Sequence, residues 1–285
     1  MVTLKRVYVF ATCIISGIAG LFTIISLATE EWIVTDSAIW IGDPDAPNKI
    51  KYGLFEGTFT KRLPTTITLQ ISMTCLMKEN VCAVLCAGSS DARYELLRRI
   101  NDGTETSPDD DINCPAVSLV NSVPRRFSTR LHNNSTDTKK FINCGVWVST
   151  IFFLVLSLFF GLISSAMSMY NVVTNPVQVF LSITGLYIYN GIAMGCCLMA
   201  MVLWGIMHII ITYHNIAIRP TLLGMMTSDK RASLGYSYWI NIISVALYFG
   251  SICILYTRQM ILSKDPGYKI EKQVENASPD GLYLY

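Results

Sequence analysis

Hydrophobic positions along this chain gather into four long runs, 7–28, 145–169, 177–211 and 234–257, and a polar interval, 30–144, parts the first run from the other three. Each run is long enough for a helix to cross a hydrocarbon core of roughly 30 Å. The third would reach on the order of 50 Å at 1.5 Å per residue, so it tilts or projects beyond the lipid, with His208 near its end at the interface. The connection 170–176 is short and uncharged, which makes the second and third helices antiparallel neighbours. A cleaved leader is the rival reading of the first run, since Ser26-Leu27-Ala28 would suit a signal peptidase. The run is, however, longer than the roughly 7–15-residue core of such leaders, which favours a retained span. Small residues recur at helical spacing: Gly17 and Gly20 beside Cys13 and Ser16, Gly161 with Ser165, and Gly191 with Gly195. These glycines are candidates for close helix packing.

The polar interval alternates like a sheet. Ile67, Leu69, Ile71 and Met73 interleave with Thr66, Thr68, Gln70, Ser72 and Thr74, a period-2 pattern rich in β-branched residues. Segments 33–40 and 50–59 flank a turn region at Gly42-Asp43-Pro44-Asp45-Ala46-Pro47. Three such segments predict a small antiparallel sheet. A short helix is expected over 91–100, ending near Gly103, with Tyr94, Leu97 and Ile100 on one face. The residues from Thr212 to Ser233 read as a polar link between the third and fourth spans.

Charge follows the same division. Only 15% of residues are charged, against roughly 25% in soluble domains. The interval 30–144 holds thirteen of the twenty-two Lys and Arg and fifteen of the twenty Asp and Glu. The net charge of +2 lacks the concentrated basic face that phosphate backbones require, which argues against nucleic acid as a partner. No phosphate loop, zinc-type spacing or nucleophile motif is present, so neither cofactor nor metal is expected. The run Asp109-Asp110-Asp111 lacks the glycine and glutamate spacing of a calcium loop and reads as a solvated loop.

Cys75, Cys82, Cys86, Cys114 and Cys144 all fall in the interval and are disulfide candidates in an oxidising compartment, although five cannot all pair internally. Asn133 and Asn134 each open a glycosylation sequon. Both signals place the loop outside the cell or in a lumen. Lys5 and Arg6 before the first run, with Arg258, Lys264, Lys269 and Lys272 after the last, then put both termini in the cytoplasm. The tail 258–285 ends Tyr283-Leu284-Tyr285, apolar residues two apart before a carboxylate, which suits strand addition to a PDZ-type scaffold as well as it suits an unbound, disordered end.

The order of these features resembles the claudin-like four-span superfamily, and within it the clarin family. The resemblance is carried by Tyr52-Gly53-Leu54-Phe55-x-Gly57, Met169-Tyr170-Asn171 with Pro176, Gly185-Leu186-Tyr187 with Gly195-Cys196, Tyr238-Trp239 and the Leu284-Tyr285 end. It implies an all-α membrane protein: one tetraspan domain over 1–285, a four-helix bundle whose large extracellular first loop, 30–144, contains a small antiparallel sheet. It further implies a multi-pass plasma-membrane protein that organises sensory-cell membranes, in hearing bundles or synapses, and connects to actin. Its partners would be the bilayer, other membrane proteins and a cytoplasmic scaffold. The alternatives are an auxiliary subunit of an ion channel or a claudin-like adhesion protein. A channel, a transporter or a membrane enzyme ranks lower, because the runs carry only His208 where ion paths and catalysis need several ionisable groups.

Overall fold

The computed structural model describes residues 2–40, 43–62, 66–86, 88–104, 116–119, 141–173 and 181–264. Helix α1 spans Val2–Ala28, α3 Cys144–Val173, α4 Ile183–Met207 and α6 Tyr236–Ser263. One π-helical turn, His208–Thr212, extends α4. All four are long and apolar enough to cross a membrane. Their surfaces are inverted relative to a soluble protein. On α3 the exposed positions include Phe152, Val155, Phe159 and Leu162, whereas Thr150, Ser157, Ser164 and Ser168 are buried. On α6, Ile242, Ile243 and Phe249 are exposed while Asn241, Ser244 and Ser251 are buried. Helices that hide serine and show phenylalanine are matched to lipid, where backbone and side-chain polar groups must find partners inside the protein.

Between these helices run strands β1 Ile33–Trp40, β2 Asp43–Tyr52, β3 Glu56–Arg62, β4 Thr66–Leu76, β5 Val81–Leu85, β6 Ala116–Leu119 and β7 Ile142–Asn143, with helix α2, Ser90–Asp102, after β5. After α4 come α5 Arg219–Leu222, β8 Met226–Thr227 and β9 Ser233–Leu234. Among the described residues the strands form one antiparallel sheet of nine, in the order β7-β5-β4-β3-β2-β1-β8, with β6 on β4 and β9 on β1. The sheet is thus larger than the three-stranded one expected. The stretch read as a polar link supplies two of its strands: Ile39 and Trp40 pair with Thr227 and Met226, and Ile33 pairs with Leu234. The expected turn region is also shorter, since Trp40 pairs directly with Asp43 and Pro44 to Pro47 lie within β2.

Helix α2 starts where Ser89 accepts a hydrogen bond from the Ala92 backbone N–H and stops at Gly103, whose φ of 74° few other residues adopt at low cost. Its buried face differs from the expected one. Leu96, Leu97 and Ile100 pack on Leu76, Ala83 and Leu85 of β4 and β5 and on Leu222 of α5, while Tyr94 points outward.

The chain divides into two compact units. The first takes in the described residues of Met1–Leu21, Ser157–Gly195 and Ser244–Tyr285, and the second those of Phe22–Leu156 and Cys196–Ile243. The whole sheet belongs to the second.

Candidate functional site

Within the second unit the sheet is fastened to helix ends by the Tyr52-Gly53-Leu54-Phe55-Glu56-Gly57 stretch and by Trp32. Trp32 is fully buried. Its indole packs edge-on against Trp204 of α4 and Tyr238 of α6, at centroid distances of 5.3 and 6.0 Å. Its Nε1–H donates to the Ser26 carbonyl of α1 at 2.8 Å. Its backbone N–H donates to the Tyr52 carbonyl, and its own carbonyl accepts from Gly235, each at 3.0 Å.

Each residue of the motif has a mechanical role. The Tyr52 hydroxyl donates to the Ile216 carbonyl at 3.0 Å. Burial pushes its phenol far above the usual range, so it stays a neutral donor. Gly53 lies so close to the chain leaving α1 that an added Cβ would collide with the Thr29 carbonyl oxygen. At Gly57 a Cβ would collide with the Lys51 carbonyl and with Tyr52. The Leu54 carbonyl accepts from Trp147 Nε1 of α3 at 2.7 Å. Phe55, 46% exposed, stacks edge-on against the same indole at 6.5 Å.

A polar cluster closes the junction. Asn241 Nδ2 donates to Ser26 Oγ, which donates to the Ser237 carbonyl, both at 2.7 Å. Ser237 Oγ accepts from Thr29 Oγ1 at 2.7 Å and from the Glu31 N–H at 3.1 Å. Lys51 and Glu31 add an ion pair at 3.2 Å. Ends of α1, α3, α4 and α6 all meet the first loop here. The arrangement fixes geometry and offers a rigid surface; its polar atoms are spent on one another. The roles of Trp204, Trp147, Ser26, Ser237 and Asn241 are not legible in the sequence, because a tryptophan or serine near a span end carries no signal of the partner it will meet.

His208, expected at the interface, is buried in the π-helical turn, with its Nδ1 2.8 Å from Thr212 Oγ1.

The first unit holds its helices by a buried polar seam. Asn190 of α4 donates through Nδ2 to Ser164 Oγ of α3 at 2.6 Å and accepts from Ser16 Oγ of α1 at 2.8 Å. Ser16 in turn lies 3.2 Å from Ser251 Oγ of α6. The packing glycines behave unequally. A Cβ on Gly17 would lie 3.4 Å from Ser165 Oγ, and one on Gly20 3.5 Å from Leu158. One on Gly161 would collide with the Tyr248 hydroxyl. Gly191 and Gly195, in contrast, face open space with nothing within 4 Å. The GxxxG spacing on α4 is therefore not a close-approach site within the described residues.

Gly161→Ala is expected to cost about 1–3 kcal/mol by overpacking. In a Tyr248→Phe background the colliding oxygen is gone, and the double-mutant cycle should show coupling of about 0.5–3 kcal/mol. Strictly additive unfolding free energies in detergent would contradict the contact.

Among the cysteines, Cys75 and Cys82 face each other across β4 and β5 and form a disulfide. Cys86 is also disulfide-bonded. Cys144, at the start of α3, is a buried free thiol. Cys114, the sequons at Asn133 and Asn134, and the tail residues Tyr283, Leu284 and Tyr285 lie outside the described residues.

These features define a multi-pass membrane protein: four apolar helices and a nine-stranded sheet built from two of the connecting segments. Comparison places it among relatives. The chain is similar to clarins over about half its length. It is 31% identical to Clarin-3 of Homo sapiens over 140 residues, which is 47% of this chain and 58% of that protein. It is likewise 31% identical to Clarin-3 of Mus musculus over 136 residues, 46% of this chain and 58% of the relative. With Clarin-3 of Rattus norvegicus the identity is 32% over 94 residues, 33% of this chain and 41% of the relative. The chain thus spans little more than half the length of the human and mouse relatives and less than half of the rat one. No family model matches it.

Proposed function

We propose that this protein is a non-enzymatic organiser of the plasma membrane in sensory cells. The sheet meets a partner outside the cell, and the C-terminal tail recruits a PDZ-type scaffold and, through it, actin. The observation that carries this reading is the junction around Trp32. A nine-stranded sheet bonded to the ends of α1, α3, α4 and α6 holds its surface at a fixed place against the ends of four apolar helices, which suits recognition and positioning. The clarin relationship supports it. In this reading 30–144 is exported, both termini are cytoplasmic, and Asn133 and Asn134 carry glycans.

The reading is tested on intact cells. An impermeant amine-reactive label should reach lysines of the loop, such as Lys49 and Lys61, while epitope tags at either terminus become accessible only after permeabilisation. Labelling of the termini and not of the loop on intact cells would overturn the orientation. Deleting Leu282 to Tyr285 should abolish scaffold recruitment and disperse the protein; undisturbed placement together with retained scaffold binding would remove the tail from the account.

A further inference from the structure

Three sulfurs meet where the sheet reaches α3. The Sγ atoms of Cys75, Cys82 and Cys144 all lie within 4.8 Å of one another, with the first two joined and the third a thiol. Cys144 is 3% exposed and its thiol sits 3.0 Å from Met77 Sδ. The ladder explains the meeting. Cys82 of β5 faces Cys75 of β4 on one side and Ile142 of β7 on the other. Cys144 comes two residues after Ile142, with its N–H bonded to the Asn80 carbonyl, so it is the diagonal neighbour of Cys82. Cys75 is one strand further away.

We propose that these residues form a thiol–disulfide exchange site. The Cys144 thiolate attacks Cys82 Sγ, a Cys82–Cys144 bond forms as the Cys75–Cys82 bond breaks, and Cys75 leaves as a thiolate that takes up the proton Cys144 gave up. One disulfide and one thiol exist before and after, so no oxidant or reductant is needed. The two forms differ in what they tie together. In the form described here the bridge staples β4 to β5. In the exchanged form it staples β5 to the first residue of α3, joining sheet to membrane span by a covalent bond. The free thiol moves at the same time from buried Cys144 to half-buried Cys75, where outside reagents have better access.

The test uses the purified full-length protein in lipid nanodiscs, without added thiol or oxidant. Samples held in mildly alkaline buffer, which raises the thiolate fraction, are quenched in acid over time, denatured, alkylated with N-ethylmaleimide and digested without reduction. Exchange is seen as label accumulating on Cys75 together with a Cys82–Cys144 linked peptide, and both are lost in Cys144→Ser. A second variant, Cys75→Ser, treated separately with oxidised glutathione as the two-electron oxidant, should form the Cys82–Cys144 bridge. Label confined to Cys144 at all times in the native sequence, with Cys75–Cys82 as the one linked pair among the three, overturns the proposal; so does a folded Cys75→Ser protein that keeps Cys82 and Cys144 both alkylatable after oxidation.

Discussion

Replacing Trp32 with alanine is expected to lower the unfolding free energy by about 3–5 kcal/mol, the range for emptying a buried tryptophan site. The size follows from what the indole holds. It is fully buried between Trp204 and Tyr238, and its Nε1–H satisfies a carbonyl of α1. Two edge-on aromatic contacts contribute about 0.5–1.5 kcal/mol each beyond area burial, and the Ser26 carbonyl loses its 2.8 Å donor, keeping only the longer contact from Thr29 Oγ1 at 3.4 Å. Trp32→Phe separates the parts: it keeps most of the ring packing, loses the donor, and should fall between the native protein and the alanine variant. Denaturant or thermal midpoints in a single detergent give the comparison. A loss for Trp32→Ala within about 0.5 kcal/mol, the scale of an ordinary surface change, would show that the sheet is not fastened through this residue.

The parts of the fold that could be read from sequence are those in which each residue repeats the same message. Four apolar runs announce four helices because lipid demands an apolar exterior turn after turn. Strand β4 is legible because Leu69 and Ile71 are buried among polar neighbours at period two. The cap of α2 is legible because Gly103 must take a left-handed φ. The rest depends on single meetings of distant residues. Strands β8 and β9 have two residues each and no period; they exist because the edge of β1 offers unpaired backbone groups. The buried face of α2 is ambiguous in sequence because Tyr94 and Leu96 are both apolar enough to fit the pattern, and only packing against Leu222 of a later segment decides between them.

Glycines show the same limit. Spacing picks out Gly191 and Gly195 as readily as Gly17 and Gly20, yet spacing does not say which face of a helix meets a neighbour. The polar seam around Asn190 was likewise illegible, since four residues on four helices converge there with no common motif. At the junction, family resemblance marks Tyr52 to Gly57 as a unit. The physical reason for the unit is the layout of its contacts: a hydroxyl, a bare backbone, a carbonyl and an aromatic ring each engage a different partner.

Gly53 is where that layout tolerates least change. Gly53→Ala should destabilise the protein by about 1–3 kcal/mol, and Gly53→Val by more, because extra atoms there cannot be absorbed by a rotamer change. The first atom a Cβ meets is the Thr29 carbonyl oxygen, and the next are Glu30 Cα at 3.1 Å and the Thr29 carbonyl carbon at 3.3 Å. All three belong to backbone leaving α1, so either that exit or the turn after β2 must shift. The turn is itself held by the Gly53 N–H donating to the Glu56 carbonyl at 2.8 Å and by Met73 donating to the Phe55 carbonyl at 2.7 Å. A shift would therefore pull Leu54 from Trp147 and break the register of β3 with β4. Gly191→Ala is the matched control: its Cβ enters open space, and exchanging glycine for alanine within a helix gains roughly 0.5–1 kcal/mol. Measured side by side, Gly53→Ala should unfold earlier than the native protein and Gly191→Ala no earlier. Equal midpoints for Gly53→Ala and the native chain would mean that the sheet and the exit of α1 are not in contact there, and the fixed surface proposed for partner recognition would lose its support.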